Sequence, residues 1–135
     1  MAAEAFAWLG LARVALGLLP FRVVARALGK PRVESRGEIG PGQAAAARRL
    51  GWAIEAASRR TPWESTCLIQ ALAAQRMLRT RGIGSTLYLG VRKGEAPGAG
   101  SLAAHAWLRC GSLVLTGERA AEGFTVVGRF GFDPS

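Results

Sequence analysis

The spacing of the apolar residues changes once along this 135-residue chain, near Gly82, and that change restricts the fold more than any other feature. Before Gly82 the apolar residues recur at helical spacing, and one face of the segment 43–58 consists of Ala46, Leu50, Ala53, Ile54 and Ala57. After Gly82 they alternate between glycine-bearing turns, which predicts strands at 83–92, 103–110, 112–116 and 124–130. Helices followed by a small antiparallel sheet define an α+β fold.

The part of the chain before Gly82 is predicted to contain four helical segments. The first runs over 3–19, and Pro20 starts a second at 21–28 because proline suits a first helical turn. A connector at 32–42 leads to the helix at 43–58, and the last helix ends near Thr80. The first helix is apolar apart from Arg13 but shorter than the about 20 residues of a membrane span, so we expect a soluble or surface-lying helix.

Length and composition indicate one compact domain, with an N-terminal helical region at 1–60 and a second region at 61–135. Two cysteines are too few for a disulfide scaffold, so their number fits a cytoplasmic protein. The net charge of +9 favours acidic partners, but the 16 arginines are spread along the chain and no nucleic-acid motif accompanies them. We therefore expect no nucleic-acid binding.

The candidate chemistry rests on Cys67, at the front of the last helix, and His105, the only histidine, inside a predicted strand. A thiol and an imidazole within hydrogen-bond reach form the pair used in acyl transfer. The alternatives are a buried structural cysteine and a core histidine satisfied by backbone carbonyls.

Two capping patterns place Cys67 differently. A capping box at 61–64 would put it in the second helical turn, whereas a cap at Ser65 would put it at the N-terminal edge. We expect the second arrangement, because free amides and the helix dipole then favour the thiolate. Strand alternation places Cys110 on the face opposite His105, which argues against a disulfide or a metal site that joins Cys67 to Cys110.

Four segments together carry a family resemblance: PWESTCLIQALA at 62–73, LRTRGI at 78–83, LYLGV at 87–91 and HAWL at 105–108. In this order they resemble the transglutaminase-like protein of lasso-peptide biosynthesis, and the resemblance covers about 62–130. It implies a papain/transglutaminase-like fold with its catalytic core at 61–135. It further implies a cysteine peptidase that removes the leader from a ribosomally synthesised precursor, as the stand-alone protease half of a split system.

The resemblance also implies roles for individual residues. Cys67 would be the nucleophile and His105 its acid/base partner. The family's third member is an Asp in the strand after the histidine, but here that slot falls near Gly117, so Glu118 or a backbone carbonyl would orient His105. The alternative for Glu118 is a solvated turn carboxylate.

Other side chains are candidates for the substrate cleft. Gln70 lies one turn after Cys67 and would line the site or hold an oxyanion, with plain packing as the alternative. Trp63 and Tyr88 would shape the cleft or belong to the core, and Trp107, on the same strand face as His105, would shield the catalytic pair from water. We assign Gln70, Trp63 and Trp107 to substrate binding.

The partners implied are the leader peptide, a small winged-helix protein that recognises the leader, and the cyclase that closes the ring. The N-terminal helices are a candidate docking surface for that winged-helix protein or for a membrane, although membrane contact is not the favoured reading. No metal or organic cofactor is implied. Two rival functions remain: an acyltransferase or deamidase of the same superfamily, and a module that binds and delivers the precursor peptide without cutting it.

Overall fold

The computed structural model describes residues 1–20, 30–31, 39–61, 66–93, 102–117 and 124–132. The helices in these ranges are α1 (Ala2–Leu18), α2 (Pro41–Ser58) and α3 (Cys67–Thr80). The strands are β1 (Lys30–Pro31), β2 (Ser85–Lys93), β3 (Leu102–Cys110), β4 (Leu113–Thr116) and β5 (Thr125–Phe132). The helical segment predicted at 21–28 and most of the predicted connector lie outside the described residues.

The strands form one antiparallel sheet in the order β1-β5-β2-β3-β4. Strand β2 lies at its centre and pairs with β3 on one side and with β5 on the other. The predicted order of helices followed by an antiparallel sheet is confirmed, and the fold is α+β. The two-residue strand β1 pairs with β5 and was not predicted.

The core lies between the helices and one face of the sheet. Helix α3 packs against β2, β3 and β4, and α2 packs against β4, while α1 packs on α2 and α3. The largest buried apolar side chains of this core belong to both layers, namely Leu9, Leu50, Ile54, Met77, Leu78, Leu87 and Leu108. Helix α1 therefore forms an outer layer over the other two helices.

The start of α2 and the end of α3 each have an identifiable local cause. Helix α2 begins at Pro41, two residues earlier than predicted, with proline at a first-turn position where no amide donor is needed. Its buried face includes Ala47, whereas Ala46, which we predicted, is only partly buried. Helix α3 ends before Gly82, whose φ of +69° closes the turn so that the Ile83 amide donates to Leu78 O at 3.0 Å.

Candidate active site

Cys67 is the first residue of α3. The cap is Thr66, whose side-chain oxygen accepts a hydrogen bond from the Ile69 amide at 3.4 Å, and the Gln70 amide donates to the Thr66 carbonyl at 2.9 Å. The expected position at the helix edge is therefore correct, but the cap lies one residue after Ser65. The N-terminal end of a helix carries a partial positive charge from the helix dipole.

The rest of α3 lies across the sheet. The Gln75 side chain donates to Phe130 O at 3.1 Å, and the Arg79 guanidinium lies 4.9 Å from the Phe132 ring centroid, so the C-terminal half of α3 reaches the end of β5. The helix also packs against β2, β3 and β4.

His105 of β3 pairs with Gly90 of β2, and Gly90 pairs with Val126 of β5. Ala106, Leu108 and Cys110 belong to the core shared with the helices, so strand alternation places His105 on the other face. Cys67 is half-buried and packs against that core, and His105 is half-buried.

The imidazole of His105 lies among aromatic rings. The centroid of the Trp107 ring is 6.4 Å away with the planes stacked at 22°, and that of Phe124 is 5.6 Å away with a tilt of 39°. The Trp107 ring also stacks on Tyr88, at 5.7 Å and 15°. Rings in these contacts restrict the orientation of the imidazole.

Gly117 lies directly against the imidazole, at the slot where the sequence lacks the family's Asp. Its φ is +73°, and a Cβ placed there would lie 2.9 Å from His105 Nε2 and 2.6 Å from Ala106 O. Contacts this short leave no room for any side chain. The slot therefore holds backbone. Glu118, the alternative orienting group, lies outside the described residues.

Gly90, directly across from His105 in the sheet, was not recognised as part of the site. A Cβ at Gly90 would lie 2.7 Å from two atoms of the Trp107 ring and 3.0 Å from Phe124 Cβ. Its lack of a side chain therefore lets the indole lie over the strand beside the histidine. The sequence signal was a single glycine inside a strand pattern, which marks close approach of another group.

The remaining predicted site residues have different surroundings. Trp107 is buried, and its face of the sheet continues through Tyr88 to Arg109, whose Nε donates to the Tyr88 hydroxyl at 3.0 Å. Gln70 is half-buried, one helical turn after Cys67. Trp63 lies outside the described residues.

The two cysteines differ in environment, and both are free thiols. Cys110 is fully buried in the core, where burial raises the pKa of its thiol. Cys110 faces away from His105, as expected. The expectation that His105 shares the face toward Cys67 is wrong, because the core that Cys67 packs against includes Cys110 and lies on the opposite face of β3. Within the described residues, no group of three or more His, Cys, Asp or Glu side chains could hold a metal ion.

A family model for the transglutaminase-like superfamily matches residues 12–129 of the chain. The chain therefore belongs to the transglutaminase-like superfamily, whose chemistry is that of cysteine proteases and acyltransferases. The match begins inside α1 and so extends further toward the N-terminus than the segments that carry the sequence resemblance. No curated protein matches the chain, and no solved structure does.

Proposed function

We propose that this protein is a cysteine peptidase that removes the leader from a ribosomally synthesised precursor peptide in lasso-peptide maturation. Cys67 is the nucleophile and His105 the acid/base. The observation that carries the proposal is the position of Cys67 as the first residue of α3, a helix that packs against β3, the strand that holds His105. Superfamily membership supports the thiol chemistry, and the sequence resemblance supports the choice of substrate.

In the first half of the reaction, the Cys67 thiolate attacks the carbonyl carbon of the scissile amide and forms a carbon–sulfur bond. Amides of the first turn of α3 stabilise the resulting oxyanion. The protonated His105 then gives its proton to the leaving amine as the carbon–nitrogen bond breaks. The products are the released amine and a thioester on Cys67.

In the second half, His105 takes a proton from water while the water oxygen attacks the thioester carbonyl. The carbon–oxygen bond forms, the carbon–sulfur bond breaks, and the thiolate returns. Nε2 is the ring nitrogen that faces Gly117, so Nδ1 serves the thiol. Stacking on Trp107 and the tilted contact with Phe124 orient the ring, a role that a carboxylate has in the family pattern.

Within the described ranges, β4 pairs with β3 from Leu108 to Cys110, and the backbone of Gly117 continues along the same edge beside Ala106 and His105. The proposed reaction therefore requires the thiol at the start of α3 to reach the imidazole from the helix side of the sheet. An extended precursor peptide adds as a strand at an exposed edge of the sheet.

A winged-helix leader-recognition protein and the cyclase are the proposed partners, in the cytoplasm. A non-catalytic role in precursor delivery is the second candidate, because Gly117 supplies no carboxylate at the third position. An acyltransferase or deamidase would use the same thioester, with an amine as acceptor or a glutamine side chain as substrate.

The test is mass spectrometry of a precursor peptide incubated with the protein and its leader-recognition partner. We expect cleavage at one bond by the wild type and none by Cys67→Ala or His105→Ala. Cys110→Ala is the matched control, since it removes the core thiol and should retain cleavage. Cleavage that survives Cys67→Ala would refute the mechanism, and an amine adduct or a deamidated glutamine would indicate the acyl-transfer alternatives.

A further inference from the structure

Helix α1 carries two apolar faces, and only one of them is buried. Ala5, Leu9 and Ala12 are buried against the other helices. Three large apolar side chains on the outer side remain exposed at helical spacing, and Leu19 follows them: Leu11 is 58% exposed, Val14 55%, Leu18 78% and Leu19 48%. We call Leu11, Val14, Leu18 and Leu19 the outer stripe.

The charges around the outer stripe are positive. Arg13 lies between Leu11 and Val14 along the helix and lines a groove with Val14 and Leu18. The single acidic residue of α1, Glu4, is held by Arg81, with contacts of 2.9 and 2.5 Å to the guanidinium, and does not offset Arg13. The chain as a whole carries a net charge of +9.

Helix α2 adds further basic residues beside α1. A cleft is lined by Ala2, Ala3 and Phe6 of α1 and by the C-terminal end of α2 with Arg59 and Arg60. Arg48 and Arg49 of α2 are also exposed. Trp52, 72% exposed, lies one turn further along α2.

We propose that the outer stripe binds the surface of an anionic lipid bilayer, with α1 lying in the interface. Exposed leucine and valine next to arginine and an exposed tryptophan are the combination that lets a helix lie on acidic lipids. No helix of the described residues is long and apolar enough to cross a membrane, so the contact is peripheral. This binding does not depend on the proposed peptidase activity.

Two other occupants fit the stripe less well. A second copy of the chain would bring two molecules of charge +9 together, which like-charge repulsion opposes. An interface with another protein normally has a polar rim and about one hydrogen bond per 100–200 Å² of buried surface. Among the described residues 11–19, Arg13 is the one exposed polar side chain. Lipid phosphates can pair with its guanidinium without a complementary protein surface.

The experiment is co-sedimentation of the full chain with vesicles of equal parts phosphatidylcholine and phosphatidylglycerol, against vesicles of phosphatidylcholine alone. We expect binding to the anionic vesicles, weakened by salt. Leu18→Gln should weaken partition about tenfold, as loss of one buried leucine implies. Arg13→Glu should weaken it as well.

The matched control is Val127→Gln, which removes an exposed apolar side chain (63% exposed) from β5, away from α1, and should bind like the wild type. Circular dichroism checks that each variant is folded. Equal binding by the wild type and by a Leu11→Gln, Val14→Gln, Leu18→Gln variant would overturn the proposal. So would no binding to anionic vesicles, or a wild-type dimer that this variant dissociates.

Discussion

Substitution of Gly117 by alanine should destabilise the fold and disturb His105, although it adds only a methyl group. The new Cβ would lie 2.6 Å from Ala106 O and 2.9 Å from His105 Nε2. At a φ of +73° a side chain costs roughly 1–2 kcal/mol, and the overpacked contacts add about 1–3 kcal/mol. The expected total is about 2–5 kcal/mol, a large share of a domain stability of roughly 5–15 kcal/mol.

Gly82→Ala is the control that separates the two contributions. Gly82 has a similar φ of +69°, but a Cβ there would have no atom within 4 Å. The difference between the two variants is then the cost of crowding the imidazole, about 1–3 kcal/mol, or roughly 3–15 °C in Tm at about 3–5 °C per kcal/mol.

Thermal and urea unfolding measure this difference, and NMR of the single histidine reports on the imidazole. We expect the His105 ring resonances to shift in Gly117→Ala and to stay in place in Gly82→Ala. Equal melting temperatures for the two variants, together with an unchanged histidine spectrum, would show that the Gly117 slot is not closed.

Gly90→Ala should destabilise the protein by about 1–3 kcal/mol in urea unfolding, because its Cβ would lie 2.7 Å from the Trp107 ring; a wild-type midpoint would contradict this contact. Iodoacetamide should modify half-buried Cys67 in the native protein and reach Cys110 only after unfolding, because Cys110 is fully buried and its thiol pKa is raised. Mass spectrometry measures the two labelling rates, and comparable rates in the native protein would contradict this difference in burial. The hydrogen bond from Arg81 lowers the pKa of Glu4 below the usual value near 4.5, so the pair stabilises the fold above pH 4.5 and loses this effect as the pH falls through the lowered pKa. Glu4→Gln should therefore reduce the free energy of unfolding by about 0.5–1 kcal/mol at neutral pH and leave it unchanged in strong acid. Denaturation at several pH values measures this difference.

Much of the fold could be predicted because its signals are local. Apolar spacing and glycine positions within a few residues of each element predict the helix at Cys67, its end before Gly82 and the strands that follow. The helix cap lies one residue later than predicted, because Ser65 and Thr66 are both good capping residues and the sequence does not distinguish them. Strand β1, with two residues, is too short to show any periodicity.

The surroundings of His105 could be predicted only in part. Strand alternation correctly placed Trp107 on its face, since that inference needs one strand alone. The contact with Gly117 depends on the turn after β4, and the contact with Phe124 depends on the pairing of β5 with β2. Such contacts are set by sheet register between distant segments, which local patterns do not specify.

The residues around His105 come from strands that differ in how far apart along the sequence they pair. Gly90, His105 and Gly117 belong to the consecutive hairpins β2–β3–β4, whose contacts close short loops, whereas β5 crosses back to pair with β2 at the centre of the sheet. Short loops close at a lower entropic cost, so the hairpins should form early and β5 should join last. Phe124 would then reach the imidazole only in the final step of folding, and a partly folded chain would hold its thiol and imidazole without the completed aromatic enclosure.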